Sequence, residues 1–302
     1  GIADDALSTT FAAMRKPVVI APAMNTNMYE SPATREAMRM LTQWENITML
    51  DAASGELACG TTGKGRMQEI DVLVAAIEYA LTPKTMLGKH VLITAGPTQE
   101  AIDPVRYISN ASTGKMGYSL VRACLNRGAS VTLVTGPTHL SLKAWEQFCP
   151  LEIVNVISSA EMCKATIKAF PQADMSILCA AVADFTPCTT ADKKIKKQPG
   201  QTEMTIELKT TTDIAAVLGQ NKQAHQSLVG FALETHDEHT NALRKLQSKN
   251  LDMIVLNSLQ DQGAGFGVDT NKVTLLYANG VKKDLPLLLK QEVADAIIDN
   301  FL

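Results

Sequence analysis

Residues 91–117 read VLITAGPTQEAIDPVRYISNASTGKMG. The run from Val91 to Thr94 is short and apolar, the pattern of a strand buried on both faces of a parallel sheet. Gly96-Pro97 breaks it, and after a polar segment Ser112-Thr113-Gly114 leads into a helical pattern from Met116 to Arg127. A strand feeding a loop whose far end opens a helix gathers free backbone N–H groups and the positive end of the helix dipole at one spot, and such a spot binds anions. Arg106, Asn110 and Lys115 lie in the same loop, so the stretch reads as a phosphate or carboxylate site; a solvated loop of a Rossmann-like strand-loop-helix is the plainer alternative.

Two familiar motifs fail here. A P-loop needs a glycine where this chain has Ser109 and a hydroxyl residue where it has Met116. Gly96-Pro97-Thr98 does not supply the Gly-x-Gly-x-x-Gly of a dinucleotide fingerprint.

The 302 residues suffice for two domains of ordinary size. Hydrophobic residues at 46% and charged residues at 20% are usual for a globular protein, and the net charge of −3 offers nucleic acid or an anionic membrane no global attraction. Anion binding therefore has to come from local clusters. No apolar run reaches the roughly 18 residues of a membrane span and no secretory signal opens the sequence, which points to a cytoplasmic protein. The six cysteines, Cys59, Cys124, Cys149, Cys163, Cys179 and Cys188, show neither Cys-x-x-Cys spacing nor neighbouring histidines, which argues against a zinc site and a disulfide framework. Cys124 and Cys163 fall in helical patterns and Cys179 in an apolar strand, as small core residues.

The first 81 residues show an opening helix, a strand at 18–21, a helix at 31–44, a strand at 47–50, a glycine-rich loop at 54–67 and a helix at 70–81. Two strands make a poor independent α/β domain, so this segment is expected to be part of a larger one. Thr82-Pro83-Lys84-Thr85 marks the boundary, giving domains 1–84 and 85–302. Beyond it, strands at 91–94, 130–134, 175–180, 227–232 and 252–256 alternate with helices at 114–127, 158–170, 212–219, 237–249 and 287–301. That alternation predicts an α/β fold with a Rossmann-like, doubly wound parallel sheet. Residues 204–208 and 273–277 are expected as added antiparallel strands.

Ligands of such sheets sit beyond the carboxyl ends of the strands. After 180 the chain reads AVADF and then Lys193-Lys194-Ile195-Lys196-Lys197, which is either a solvated loop or a lid closing on phosphate. Asp184 suits a divalent cation, a ribose or a turn. Phe231 suits a base or the core, and Lys245 and Lys249 share a helix face at a spacing that disfavours like charges unless an anion lies nearby.

ITAGPTQEAIDPVRYISNASTGKMG, CAAVADF, KIKK, GFALET and KNLDMIVLN, in that order, closely resemble the ligase half of the bacterial bifunctional flavoprotein of coenzyme A biosynthesis, phosphopantothenoylcysteine decarboxylase/phosphopantothenate–cysteine ligase. The amino-terminal segment resembles the end of its decarboxylase half, a flavodoxin-like domain, through GIADD, PAMNTNMY at 22–29, and SGELACG at 54–60 leading to Gly65-Arg66-Met67. The resemblance implies that 4′-phosphopantothenate is activated by CTP with Mg²⁺ to an acyl-cytidylate, from which the cysteine amine displaces CMP. It assigns Asn110 and Arg106 to the acyl-cytidylate and the phosphopantothenate, Lys194 to the activation step, and Ala180, Asp184, Phe231, Lys245 and Lys249 to CTP. Lys209, Thr210, Thr211 and Thr212 stand where the family commonly has Lys-Asn-Pro-Asp. For the FMN-dependent decarboxylase it assigns Asn25 to the substrate carboxylate and Cys59 to the final proton transfer, whereas the family's early FMN loop and catalytic histidine have no counterpart among these residues. It further implies a homodimer through the ligase domain and, in the family, a higher oligomer through the decarboxylase half. Two readings result: a CTP-dependent ligase carrying a flavodoxin-like segment that does not decarboxylate, or a piece of the whole flavoprotein in which flavin binding or a shell-forming role dominates.

Overall fold

The computed structural model describes residues 2–58, 60–234, 237–258, 265 and 267–301, and the chain divides into two compact units. Unit 1 runs to Thr85 and takes in Asn126–Gly128 and Ser141–Cys149; unit 2 comprises Met86–Leu125, Ala129–Leu140 and the chain from Pro150 onward. The two short pieces of unit 1 fall inside the stretch read from sequence as the second domain.

Unit 1 contains α1 (Ala6–Ala13), β1 (Val18–Ile20), α2 (Thr26–Tyr29), α3 (Pro32–Leu41), β2 (Ile47–Met49), β3 (Ala53–Glu56), β4 (Thr62–Arg66) and α4 (Ile70–Leu81). β1 and β2 pair in parallel, with Val18 opposite Ile47. Leu50, Val72 and Ala76 form a small core with Ala144 and Phe148. The stretch read as a glycine-rich loop is instead the antiparallel hairpin of β3 and β4. Its glycines serve close approach rather than disorder: the Met24 N–H donates to the Gly65 carbonyl at 2.8 Å, and a Cβ at Gly65 would overlap the Met24 carbonyl.

Unit 2 begins with β5 (His90–Ala95), β6 (Gln99–Ala101), β7 (Tyr107–Ser109), α5 (Lys115–Asn126) and β8 (Ser130–Thr135). After α6 (Lys143–Glu146), which belongs to unit 1, come β9 (Leu151–Asn155), α7 (Ser159–Ala169), β10 (Met175–Leu178), β11 (Phe185–Pro187), β12 (Leu208–Thr210) and α8 (Ile214–Asn221). β13 (Ser227–Glu234), α9 (Glu238–Ser248), β14 (Met253–Ser258), β15 (Thr270–Asn271), β16 (Val273–Tyr277), β17 (Lys282–Asp284), β18 (Leu288–Leu289) and α10 (Lys290–Asp299) complete it.

Eight of these strands form one sheet in the order β17-β16-β14-β13-β10-β5-β8-β9. It is parallel from β14 to β9, and β16 and β17 are antiparallel additions. From β5 the chain winds outward through β8 to β9, then returns to β10 and winds the other way through β13 to β14. The parallel neighbours β5 and β10, with Thr94 opposite Leu178, are therefore the topological switch point. The doubly wound fold expected from the alternating sequence is the fold observed, and one of its cores, built on Leu92, Ile254, Leu228, Met162 and Leu246, is closed to solvent.

Three local expectations fail for identifiable reasons. β9 was missed because it lies at the sheet edge, where its residues stay half-exposed and carry little apolar signal. The strand expected at 204–208 is only Leu208–Thr210; it pairs with the equally short β11, its three residues are exposed, and no sheet extends it. The polar segment after β5 carries the hairpin of β6 and β7, read from sequence as loop. The strand expected at 273–277 is β16, antiparallel as anticipated. Among the described residues no helix is long and apolar enough to cross a membrane.

Helix α5 lies close against β5 at Gly117, where an added Cβ would come within 2.5 Å of the Ala95 Cβ. Helix propensity alone favours Ala over Gly by about 1 kcal/mol. Overpacking costs about 1–3 kcal/mol. Gly117→Ala is accordingly expected to lower the urea midpoint, and a raised midpoint would show that α5 does not press on β5 as described.

Candidate functional site

Just beyond β5 and β10 the two chains stay joined, the Ala181 N–H donating to the Gly96 carbonyl at 2.9 Å and Pro97 forming a parallel bridge with Ala181, and side chains from the first also hold the backbone of the second. The Thr98 hydroxyl accepts from the Ala183 N–H at 3.0 Å. Asn110 donates its amide N–H groups to the carbonyls of Ala181 and Val182, at 3.1 and 3.0 Å. Two carbonyl partners fix which end of the amide is nitrogen, and they leave the Asn110 oxygen as the atom still able to accept.

Beside this junction opens a cavity of about 570 Å³. Asn110, Ala180 and Asp184 form one wall, Thr210, Thr211 and Thr212 another, and Phe231, Lys245 and Lys249 close it. The threonine wall is tied back to the strand end: the Thr211 N–H donates to the Asp184 carbonyl at 2.9 Å and its hydroxyl to the Ala183 carbonyl at 2.7 Å. Nine residues singled out in the sequence thus line one cavity, with Phe231 on its wall rather than sealed in the core.

A residue the sequence reading passed over, Asp213, organises the charges. Its carboxylate caps α8 by accepting from the Ala216 N–H and pairs with Lys249 at 2.8 Å. Burial raises the Asp213 pKa, but hydrogen bonds from Lys249 and Ala216 outweigh it and hold the carboxyl below its ordinary value. The pairing also explains how Lys245 and Lys249 tolerate one helix face. Its signal was present, since an Asp directly before an apolar helical run is a typical cap.

The Asp184 carboxylate lines the cavity and has no hydrogen-bond partner among the described residues. Those residues hold no group of three or more His, Cys, Asp or Glu side chains able to form a metal cage. Mg²⁺ commonly needs only one or two carboxylates together with substrate phosphates, and Asp184 fits that requirement.

A smaller cavity of about 140 Å³ lies at the N-terminus of α5, lined by Ser112, Thr113, Gly114, Lys115 and, from α10, Lys290. It shares Ala180, Ala181, Phe231 and Leu233 with the larger one. Lys115 pairs with Asp269 at 2.7 Å. Lys290 is buried and donates to the carbonyls of Gly265 and Val268, and its burial lowers the ammonium pKa. Lys290 escaped the sequence reading, although a lysine in the first turn of a helix opposes the dipole and so asks for an explanation. Cys179, on the same wall, is half-buried just past the end of β10 and so is not the core strand residue expected from sequence; burial pushes its thiol up to about 12.

Arg106 does not join this anion site. Its guanidinium is committed to the buried Asp103 carboxylate, at 3.0 and 2.5 Å, and to the Ile195 carbonyl at 3.0 Å. Lys194, exposed in the segment after β11, and Lys209, exposed in β12, line neither cavity. The grouping of Asn110, Asp184 and Lys194 expected from sequence is met by the first two only.

In unit 1, Asn25 caps α2, its side-chain oxygen accepting from the Asn27 N–H at 2.9 Å. Cys59 lies outside the described residues. A cavity of about 330 Å³ is lined by Tyr29, Glu30, Arg35, Met38, Asp51 and Lys64. Lys64 pairs with Asp51 at 2.9 Å. Four charged side chains round this space do not fit the flat apolar ring of FMN.

Fold and cavity together define a Rossmann-like α/β protein with its cleft at the switch point. The family of the DNA/pantothenate metabolism flavoprotein C-terminal domain matches residues 86–302 and the Flavoprotein family matches residues 1–82. The chain belongs to the coenzyme A biosynthesis bifunctional (CoaBC) family: it is 47% identical to coenzyme A biosynthesis bifunctional protein CoaBC of Bacillus subtilis (strain 168), covering 99% of this chain and 73% of that one. It is 49% identical to a cysteine/cysteine sulfinic acid decarboxylase of an unknown prokaryotic organism, covering 100% of this chain and 84% of the relative. The crystal structure of the C-terminal domain of a CoaBC protein superposes with a TM-score of 0.59 at 40% identity, over 72% of this chain and 96% of that one.

Because the folded Asp213 pKa is lowered, the stabilisation from its charge is fully present above the unfolded value of about 4 and is lost as pH falls through the folded value. Asp213→Asn keeps the cap acceptor and removes only the charge. The stability gap between the parent and this variant should be present at about pH 7 and shrink towards zero by about pH 2. A gap that widens on acidification, in denaturation curves at both pH values, would contradict the pairing.

Proposed function

We propose that unit 2 is a phosphopantothenate–cysteine ligase that uses CTP. The carboxylate of 4′-phosphopantothenate attacks the α-phosphorus of CTP, pyrophosphate leaves, and the acyl-cytidylate is opened by the cysteine amine with release of CMP. The observation behind it is the assembly of Asn110, Asp184, Phe231, Lys245 and Lys249 round one cavity at the switch point, in a chain of the CoaBC family.

Each residue type has a part in this chemistry. Lys245 and Lys249 supply positive charge against the triphosphate, and an incoming phosphate competes with Asp213 for Lys249. Asp184 holds Mg²⁺, which when bound neutralises charge developing on the phosphates. Phe231 offers a ring face to the base. Asn110 has both amide hydrogens engaged, so its oxygen is what receives the amine of cysteine. Lys194 assists nucleotidyl transfer from the segment between β11 and β12, and Arg106 assists through that same segment. The protein works in the cytoplasm as a homodimer, and its flavodoxin-like unit contributes no decarboxylation through the described residues.

The 49% identical decarboxylase favours a second reading, release of CO₂ from cysteine or its sulfinate by unit 1. One assay separates the two. Pyrophosphate release is followed with CTP, ATP, GTP and UTP in turn, with phosphopantothenate and cysteine present, beside CO₂ release from cysteine and cysteine sulfinate without nucleotide. CTP-dependent pyrophosphate release with no CO₂ is expected; the reverse pattern would overturn the ligase. Lys194→Gln should lower CTP-dependent release by about a hundredfold or more without changing the unfolding midpoint. Undiminished release would remove Lys194 from the mechanism. Purified protein should lack absorbance near about 450 nm, and a flavin band would show that unit 1 binds FMN.

A further inference from the structure

The 20 residues between β11 and β12 leave from the rim of the larger cavity and return to it, since Asp184 and Phe185 line it on one side and Thr210 and Thr211 on the other. β11 and β12 form an antiparallel ladder, continued by the Cys188 N–H donating to the Glu207 carbonyl at 2.9 Å, so the excursion has a two-stranded stem at the cavity mouth. Lys193, Lys194, Lys196 and Lys197 are exposed in it. Left to themselves these four cations repel one another and disperse.

They are not left to themselves. The Thr190 hydroxyl donates to the Ala101 carbonyl at 3.1 Å, the Ala191 N–H donates to the Ile102 carbonyl at 3.0 Å, and at Ile195 both backbone groups are held. The Ile195 N–H donates to Asp103 Oδ2 at 3.1 Å, and the Ile195 carbonyl accepts from Arg106 Nη2 at 3.0 Å. Asp103 is 2% exposed. Its Oδ1 accepts the backbone N–H groups of Val105 and Arg106 at 2.8 and 2.9 Å, which fixes its own turn, while Oδ2 takes the Arg106 guanidinium and Ile195. One oxygen builds the turn and the other docks the lysine segment.

We propose that Asp103 is a positioning residue for the ligase reaction: by holding Arg106 and the Ile195 N–H on one carboxylate oxygen, it seats the 193–197 lysine segment at the mouth of the nucleotide cavity. This rests on the ligase reading for its chemistry, and on the hydrogen bonds alone for the docking. The buried carboxylate takes its donors from these two segments, Val105 and Arg106 on one side and Ile195 on the other. Releasing it frees Arg106 and the lysines together, which accounts for an arginine that serves the site without lining the cavity.

Asp103→Asn separates the two oxygens. The amide oxygen can keep the turn N–H groups, whereas the amide nitrogen, a donor, then faces the donors of Arg106 and Ile195. Limited trypsin digestion of the full chain, read by mass spectrometry, should show cleavage within 193–197 accelerated about tenfold, with cleavage elsewhere unchanged. Pyrophosphate-release kcat should fall at least about tenfold, with the KM for CTP within about twofold of the parent, because the nucleotide cavity itself is untouched. Unchanged cleavage in the segment overturns the docking, and faster cleavage with an unchanged kcat overturns the positioning role. Should Asp103→Asn fail to fold, Ile195→Pro, which removes the N–H and fixes φ there but leaves the pair of Asp103 and Arg106 in place, is held to the same two outcomes, with cleavage read after Lys193, Lys196 and Lys197 because trypsin does not cut a Lys–Pro bond. Absence of pyrophosphate release in the parent protein refutes the ligase reading and with it the positioning role, while the trypsin pattern still decides the docking.

Discussion

Unit 2 depends on the parallel pairing of β5 with β10. Because successive crossovers leave this pair in opposite directions, a crevice opens beyond its carboxyl ends, and the two chains stay joined there through Gly96, Pro97 and Ala181. The junction is reinforced by Asn110 and Thr98, which reach from the first chain to the backbone of the second. These bonds make the floor of the crevice a rigid notch rather than a frayed end. Every other feature of the site, from the threonine wall to the lysines of α9, is placed by elements that start or finish at this notch.

The notch collects positive charge, and two of its ion pairs lie where solvent reaches them. Lys249 has Asp213 and Lys115 has Asp269, yet both pairs are partly exposed, where such pairs contribute little and exchange readily. Lys290 is buried among carbonyl acceptors. A cluster arranged in this way gains by admitting a polyanion, because the incoming phosphates replace weak surface pairing with contacts in a shielded cavity. The buried Asp103, in contrast, is fully engaged, and the Arg106 beside it holds its carboxyl well below the usual carboxylate range. Asp103 therefore belongs to the frame and the exchangeable pairs belong to the ligand.

How much of this was legible from residues alone follows from what each residue faces. The buried strands and the helices between them carried their own periodicity, so the doubly wound sheet could be read, and Asn110, Asp184, Phe231 and Lys245 could be named from the ordered motifs. β9 could not, because an edge strand has little apolar signal. The hairpin of β6 and β7 was hidden by the polar residues that later serve the site. Arg106 was read as a ligand for anions because sequence shows a cation near a loop but not the buried Asp103 that claims it. Lys290 and Asp213 were passed over because each looks like an ordinary helix-terminal residue until the fold brings it to a cavity wall.

The central claim is that one carboxyl-terminal sheet edge receives the nucleotide. Amide hydrogen exchange with and without CTP and Mg²⁺ tests it most directly. Slowed exchange is predicted in 180–184, 210–213, 230–233 and 245–249, the segments round the larger cavity. Protection confined to unit 1, or to the amino-terminal edge of the sheet at His90, Ser130 and Met175, would contradict it.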